Sequence, residues 1–225
     1  MRWASNRKSV VVHPISIFLV IVFIVIAAGC ASISYKPSLS LDESPKTIKA
    51  RALIQKFTDE SPPEDKDSKV GGVSVAEPGT IEGDLATGVT NEILSDFRDN
   101  RVFLDVGKSL DNPDIVIKGR ILRFYGKGGI NAIGWFTILL SPLWYLGLPI
   151  QTVEEEVSIE ISLWQQDGSQ IGTYKGYVQD SEDFSMYTQV ALSAPSRTNN
   201  AFGRAIRQIR DQMLKDEEKI TKRKK

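Results

Sequence analysis

The chain contains one histidine and one cysteine among its 225 residues. These are His13 and Cys30, so residues 31–225 contain neither. Nucleophilic catalysis by a Ser-His-Asp or Cys-His arrangement needs an imidazole, and zinc sites are built mainly from imidazole or thiolate ligands. Their absence excludes both kinds of site from that part of the chain, together with an internal disulfide. We therefore expect no enzyme, no metal and no cofactor.

Carboxylates offer the one catalytic chemistry that the composition leaves open. The acidic candidates are Glu154–Glu156 and the group of Asp180, Glu182 and Asp183. Acid–base catalysis by carboxylates needs two of them in one cleft with separated pKa values. The sequence singles out no such pair, so an enzyme is the least favoured of three hypotheses.

Acidic residues are also absent before Asp42, whereas Arg2, Arg7 and Lys8 are basic. An apolar run over residues 15–26 follows and ends in Ala27-Ala28-Gly29-Cys30. A basic head, an apolar middle and small residues before a cleavage site are typical of a secretory signal peptide, here residues 1–29.

The small residues before Cys30 resemble the lipobox of bacterial lipoproteins. In that family the cysteine receives a diacylglyceryl group, the chain is cut before it, and the new amino terminus is acylated, for which palmitate is the expected chain. Each buried lipid methylene contributes about 0.8 kcal/mol, so two or more chains form a durable lipid anchor. The alternative is a plain membrane-anchor helix over residues 10–28, since that run approaches the roughly 20 apolar residues that a spanning helix needs.

Both interpretations place residues 31–225 outside the cytoplasm. Ala31 follows the cysteine, whereas Asp at this place favours inner-membrane retention in Gram-negative lipoproteins. The resemblance therefore implies the outer membrane, with the domain on its periplasmic face. Without residues 1–29 the chain has 25 basic and 28 acidic residues, a net charge of about −3. This balance argues against nucleic acid as a partner, because nucleic-acid-binding domains usually have a basic face.

The remaining chain is about the size of one domain. Residues 30–47 are rich in Ser and Pro, which predicts a lipidated cysteine followed by a flexible tether. We expect a periplasmic domain over residues 48–218 and a charged tail over residues 219–225. Residues 58–80 contain Pro62-Pro63 and read as a long loop.

The apolar pattern predicts an α+β fold. Strands are expected at 48–57, 102–106 and 114–125, and a hairpin joins 157–164 to 170–179 through an Asp-Gly turn. Amphipathic helices are predicted from Asp84, as N-cap, to about Asn100, and from Asn199 or Asn200 to about residue 213. A mostly antiparallel sheet and two such helices bury their apolar faces by stacking both helices on one side, as a two-layer sandwich.

An apolar insertion interrupts this pattern at residues 129–150. No charged residue occurs from 128 to 153. It could cover the domain's own core, dip into the bilayer as a paddle rich in interfacial Trp and Tyr, or dock on a membrane protein. The last two interpretations share one set of candidate contact residues: Trp135, Phe136, Leu139, Leu140, Leu143, Trp144 and Tyr145.

The order of elements behind a lipobox resembles small outer-membrane lipoproteins of the LptE, YajG-like and ABC-transport auxiliary types. The resemblance spans most of residues 48–218 and implies a non-enzymatic accessory subunit of an outer-membrane assembly or transport complex. The expected partners are the lipid bilayer, through acylated Cys30, and an outer-membrane or envelope transport protein. The alternative is a lipid- or solute-binding module in which the 129–150 segment lines an apolar pocket.

Overall fold

The structure is a computed structural model that describes residues 36–63, 65, 82–137, 142, 144–185, 187 and 190–222. For residues 127–128 and 190–195 it describes the backbone alone. All of these residues belong to the unit Ser32–Lys225. The predictions for the signal peptide and Cys30 lie outside the described residues.

One sheet and four helices form the described part of the chain. The strands are β1 (Ile48–Ile54), β2 (Thr58–Asp59), β3 (Phe103–Gly107), β4 (Ile115–Ile130), β5 (Pro149–Gln165) and β6 (Gln170–Ser185). The helices are α1 (Leu85–Asp99), α2 (Ala132–Phe136), α3 (Val190–Lys215) and α4 (Glu217–Thr221).

The sheet is mixed, with strand order β3-β1-β4-β5-β6 and β2 beside β4. Strand β1 pairs in parallel with β3 and with β4, because α1 carries the chain back across the helix layer before β3. The two long ladders, β4 with β5 and β5 with β6, are antiparallel. The α+β fold is therefore confirmed, and the parallel β1 pairs are an addition that the predicted antiparallel sheet did not contain.

Both long helices contribute to a single core on one face of the sheet. The apolar stripe of α3 is fully buried, and Phe202 meets Phe124 of β4 edge-on with 5.5 Å between ring centroids. The stripe of α1 belongs to the same cluster as the inward row of β5. The helix stripes are Val89, Ile93 and Phe97 in α1, and Phe202, Ile206, Ile209 and Met213 in α3.

Two local signals, the N-cap of α1 and the turn of the β5–β6 hairpin, are confirmed. The Asp84 carboxylate accepts the amide of Thr87 at 2.9 Å as the N-cap of α1. Hydrogen bonding from Lys56 and from Thr87 lowers the pKa of this carboxyl to about 2. Gly168 has a φ of 84° in the β5–β6 hairpin, as the Asp-Gly turn requires.

The three long strands extend further than predicted. Strand β4 continues to Ile130, β5 begins at Pro149, and β6 continues to Ser185. Backbone ladders do not depend on apolar alternation, so pairs such as Thr152 with Asp183 continue the sheet where the pattern of the sequence fades. The insertion is thus reduced to residues 131–148 at the tip of a long hairpin.

The predicted start of the second helix is wrong. Helix α3 begins at Val190 rather than at Asn199 or Asn200. At the other end, α4 overlaps the segment predicted as a charged tail, and its Ile220 is buried in the core. One buried side chain is enough to hold a single helical turn that composition alone predicts to be solvated.

Residues 36–44, hereafter the docked segment, lie along α1 and α3. The amide of Leu39 donates to Glu92 at 3.0 Å, and the amide of Leu41 donates to Asp96 at 3.3 Å. Arg210 of α3 donates to the carbonyl of Asp42 at 2.6 Å. The part of the predicted tether that the structure describes is therefore bound to the domain, and residues 31–35 lie outside the described residues.

Candidate functional site

The insertion begins as a short helix held against the sheet. Asn131 caps α2 by accepting the amide of Gly134 at 2.9 Å, and its side-chain amide donates to the carbonyl of Pro149 at 2.9 Å. Its backbone amide donates to the carbonyl of Ile150 at 3.0 Å. One residue thus joins the end of β4, the start of α2 and the start of β5.

Gly134 fixes how closely α2 approaches the sheet. A Cβ at this position would overlap the side chain of Ile130 and the carbonyl oxygen of Ile150. The buried face of α2 therefore carries no side chain at the point of contact. The remaining side chains of the helix project away from the sheet.

The second half of the insertion is tied to the first. The indole N–H of Trp144 donates to the hydroxyl of Thr137 at 2.7 Å, and that hydroxyl donates to the carbonyl of Ile133 at 2.7 Å. The hydroxyl of Tyr187, beyond β6, donates to the carbonyl of Tyr145. The described residues of the insertion therefore form one hydrogen-bonded unit with the end of β6.

Large apolar side chains of this unit are exposed. Phe136 has 85%, Leu146 74% and Trp135 51% of its surface accessible, and Tyr145 and Tyr187 are exposed as well. Trp144 is half-buried by its bond to Thr137. Exposed aromatic residues do not cover a core, which disfavours the first of the three interpretations. Three of the predicted contact residues lie outside the described residues: Leu139, Leu140 and Leu143.

A second uncharged stretch meets the insertion at the same end of the sheet. Residues 184–196 contain no Asp, Glu, Lys or Arg, and they comprise the end of β6, Tyr187 and the start of α3. We call the described residues within 130–150 and 184–196 together the uncharged end. The sequence interpretation missed the second stretch because its serines, threonine and proline read as turn, although its lack of charge was a usable signal.

Charged residues border the uncharged end. Glu155 of β5 is 3% exposed and lies under Arg197 of α3, with 3.3 Å between carboxylate oxygen and guanidinium nitrogen. Arg197 also binds Glu182 of β6 at 2.7 Å, and Arg204 binds Asp180 at 3.2 Å. Burial raises the pKa of Glu155 above its ordinary value, although the two arginines oppose this shift. The carboxylates are held here by charge compensation.

Glu156 projects from the opposite face of the sheet. The hydroxyl of Tyr125 donates to it at 3.2 Å, and Arg123 lies 3.5 Å from it while binding buried Asp65 at 2.6 Å. Burial, followed by the charge of Glu156, raises the pKa of Tyr125 to about 12. Glu155 and Glu156 therefore do not converge, and both carboxylates are buried inside β5.

The described residues include neither a metal site nor a membrane-spanning helix. No group of three or more His, Cys, Asp or Glu residues among them is arranged to hold a metal ion. None of the helices in the part of the chain that the structure describes combines the length and apolar character needed to cross a membrane.

Comparison with solved structures shows a likeness of fold. No protein-family model and no curated protein matches the chain. The crystal structure of protein XCC0632 from Xanthomonas campestris, described by the family model DUF330, is similar to this chain with a TM-score of 0.50. The two chains are 10% identical, and the match covers 82% of this chain and 99% of that one. At this identity the likeness shows a shared fold alone.

Proposed function

We propose that this protein is a non-enzymatic, lipid-anchored lipoprotein on the periplasmic face of the bacterial outer membrane. It serves as an accessory subunit of an envelope assembly or transport complex. Acylated Cys30 holds it to the bilayer, and its partners are the bilayer and an envelope protein. The shared fold with a DUF330 protein is compatible with such a role and adds no activity.

The observation that carries this proposal is the exposed uncharged end of the hairpin. Soluble monomers rarely expose a continuous group of large apolar side chains without using it for contact with a protein or a membrane. Here Trp135, Phe136, Tyr145, Leu146 and Tyr187 are exposed together. The hydrogen bonds of Asn131 and Thr137 fix the surface that carries them, as a contact site requires.

The non-enzymatic part of the proposal is supported by the carboxylates. Glu155 and Glu182 share Arg197, Asp180 binds Arg204, and Glu156 accepts from Tyr125. Acid–base catalysis needs two carboxylates that converge with separated pKa values, whereas Glu155 and Glu156 lie on opposite faces of the sheet. The binding-module alternative receives less support, because Phe136 and Leu146 project outward instead of lining a cavity.

Lipidation is tested by mass spectrometry of the protein purified from membranes. The expected mass lacks residues 1–29 and includes a diacylglyceryl and an acyl group on Cys30. The Cys30→Ser variant should retain residues 1–29 and carry no lipid. An unmodified Cys30 in the wild-type protein would refute the lipid anchor, and the same mass in both proteins would do so too.

The accessory role is tested with a photocrosslinking residue in living cells. We would place it at Phe136 of the uncharged end and at exposed Tyr177 on the sheet face away from the helices. A discrete protein adduct at either position supports an assembly subunit and identifies its complex. No protein adduct at either position, together with a stoichiometric lipid extracted from the purified domain, would favour the binding module instead.

A further inference from the structure

The border between charged residues and the uncharged end lies at the same height on β4, β5 and β6. In the ladders Gly129 pairs with Thr152, and Thr152 pairs with Asp183. Every residue of the hairpin beyond this level is uncharged, as is the first part of α3 as far as Ser196. In a chain with 25% charged residues, such a sharp border indicates a change of environment rather than chance.

The chain leaves the domain toward this border. Traced toward its N-terminus, the docked segment follows α1 toward the start of that helix. Leu41 bonds to Asp96, Leu39 bonds to Glu92, and Pro37 lies next to Gly88. At Ser38 its amide donates to Asn199 of α3 at 3.1 Å. Asn199 lies two residues from Arg197, which binds Glu182 at the border.

The chain beyond this point is long enough to reach the start of α3. Cys30 and Pro37 are seven positions apart, and that length of chain spans at most about 25 Å when extended. From Asn199 to the start of α3 is nine residues of helix, about 14 Å at 1.5 Å per residue. A lipid on Cys30 can therefore lie level with the start of α3, on the uncharged side of the border.

The side chains of the uncharged end suit the interfacial region of a bilayer. Trp and Tyr concentrate there because their rings combine an apolar body with a polar group, whereas Phe and Leu enter the acyl boundary below. Insertion is limited in depth, because the hydrocarbon core excludes open sheet edges and the charged border at Asp183 favours water. The amides of Gly134, Trp135 and Thr137 are bonded within the insertion.

We propose that the uncharged end inserts into the interfacial layer of the phospholipid leaflet that holds the lipid on Cys30. This inference rests on the proposed lipid anchor and adds a second contact with the same membrane. The two contacts would fix the orientation of the domain. The β4–β5 connection would point into the leaflet, and the β5–β6 turn would point away from it.

The three tryptophans that follow Cys30 provide the test. We would reconstitute the full-length lipoprotein in phosphatidylcholine vesicles with brominated acyl chains, which quench nearby indole fluorescence. One protein retains Trp135 (W144F/W164F) and the matched control retains Trp164 (W135F/W144F), at the far end of the β4–β5 ladder. Trp135 should be quenched roughly threefold more strongly than Trp164, as expected for an interfacial indole.

A second pair of variants guards against loss of folding. In the protein that retains Trp135, Phe136→Asp should reduce quenching toward the level of Trp164. Leu104→Asp, at an apolar residue of β3 that is 66% exposed, should leave it unchanged. Equal quenching of Trp135 and Trp164 would overturn the insertion.

Mass spectrometry of the same samples separates this failure from failure of the proposed function. Equal quenching in protein with acylated Cys30 overturns the insertion and leaves the lipid anchor intact. Unmodified Cys30 refutes the anchor on which the insertion rests. A protein adduct at Phe136 in cells would show that this surface binds a protein partner and not the membrane.

Discussion

Gly176 of β6 sets the distance between the sheet and α3. A Cβ at this position would overlap the backbone of Ala205, which cannot move without moving the helix. We therefore expect Gly176→Ala to lower the free energy of unfolding by about 2 kcal/mol, as overpacking of a core does. Urea denaturation of the purified protein, followed by tryptophan fluorescence, measures this change.

Gly203 offers a matched control on the facing helix. A Cβ there would approach the side chain of Leu41 at 3.4 Å, and that side chain can adjust. Since Ala is favoured over Gly inside a helix by about 1 kcal/mol, Gly203→Ala should be neutral or stabilising. Equal destabilisation by both substitutions would mean that the close contact at Gly176 does not limit packing.

The second residue-scale prediction concerns the ion pair of Glu155 and Arg197. Removing the cation leaves a buried carboxylate with only Arg204, at 3.7 Å, so we expect Arg197→Ala to cost about 2 kcal/mol. Glu155→Gln should have a small effect by itself and should recover most of that loss in the double variant. A double-mutant cycle in urea measures the coupling, and additive effects would contradict it.

The same pair predicts a dependence on pH. Burial raises the pKa of Glu155, so the folded state binds this proton more tightly than the unfolded state. The buried charge of Glu155 therefore lowers the free energy of unfolding at pH values above its folded-state pKa. This penalty is lost as the pH falls through that pKa. The deficit of Arg197→Ala should shrink when urea denaturation is repeated at lower pH, whereas in the Glu155→Gln background it should not.

Residue-scale features were predictable where their cause is local. Asp84 was identified as an N-cap because its carboxylate bonds an amide three residues away. The burial of Glu155 depends on Arg197, which lies 42 residues further along the chain. No local pattern reports such a partner, so the burial of Glu155 could not be predicted from the sequence.

At the scale of elements, the docked segment is the feature to test. Leu39 and Leu41 are half-buried against the core. We expect Leu41→Ala to cost about 1 kcal/mol through lost apolar contact, whereas Leu104→Ala, at a residue 66% exposed, should cost little. The amides of Leu39, Leu41 and Ser44 should be protected from hydrogen exchange. Fast exchange in the wild-type protein would show that the segment is a free tether.

Elements were predicted in type more reliably than in extent. The helix stripes of α1 and α3 and the alternation at 157–164 identified their elements, because each buries one face. The ends of β4, β5 and β6 were missed because polar residues continue the ladder beyond the core. Helix α3 starts in a Ser- and Pro-containing stretch whose composition reads as turn.

At the scale of the molecule, the core and the described residues of the insertion form different groups of side chains. The core cluster includes Val153 and Phe124 but none of the described residues from 131 to 150, whereas Phe184 of the uncharged end packs against it. The charged border lies between the two regions. A domain that folds without its contact surface can lose that surface and remain stable, which gives the last prediction.

Replacing residues 131–150 by Asn-Gly would join Ile130 to Gln151, which face each other in the β4–β5 ladder. Asn-Gly suits a two-residue hairpin turn, so the ladder should close directly. The shortened protein should unfold in urea with nearly the same free energy, because the core cluster is intact. Bound to vesicles through Cys30, it should tumble more freely, seen as lower fluorescence anisotropy of a dye placed at Leu104. Unchanged anisotropy would mean that the tip does not restrain the domain, and a large loss of stability would mean that the tip belongs to the core.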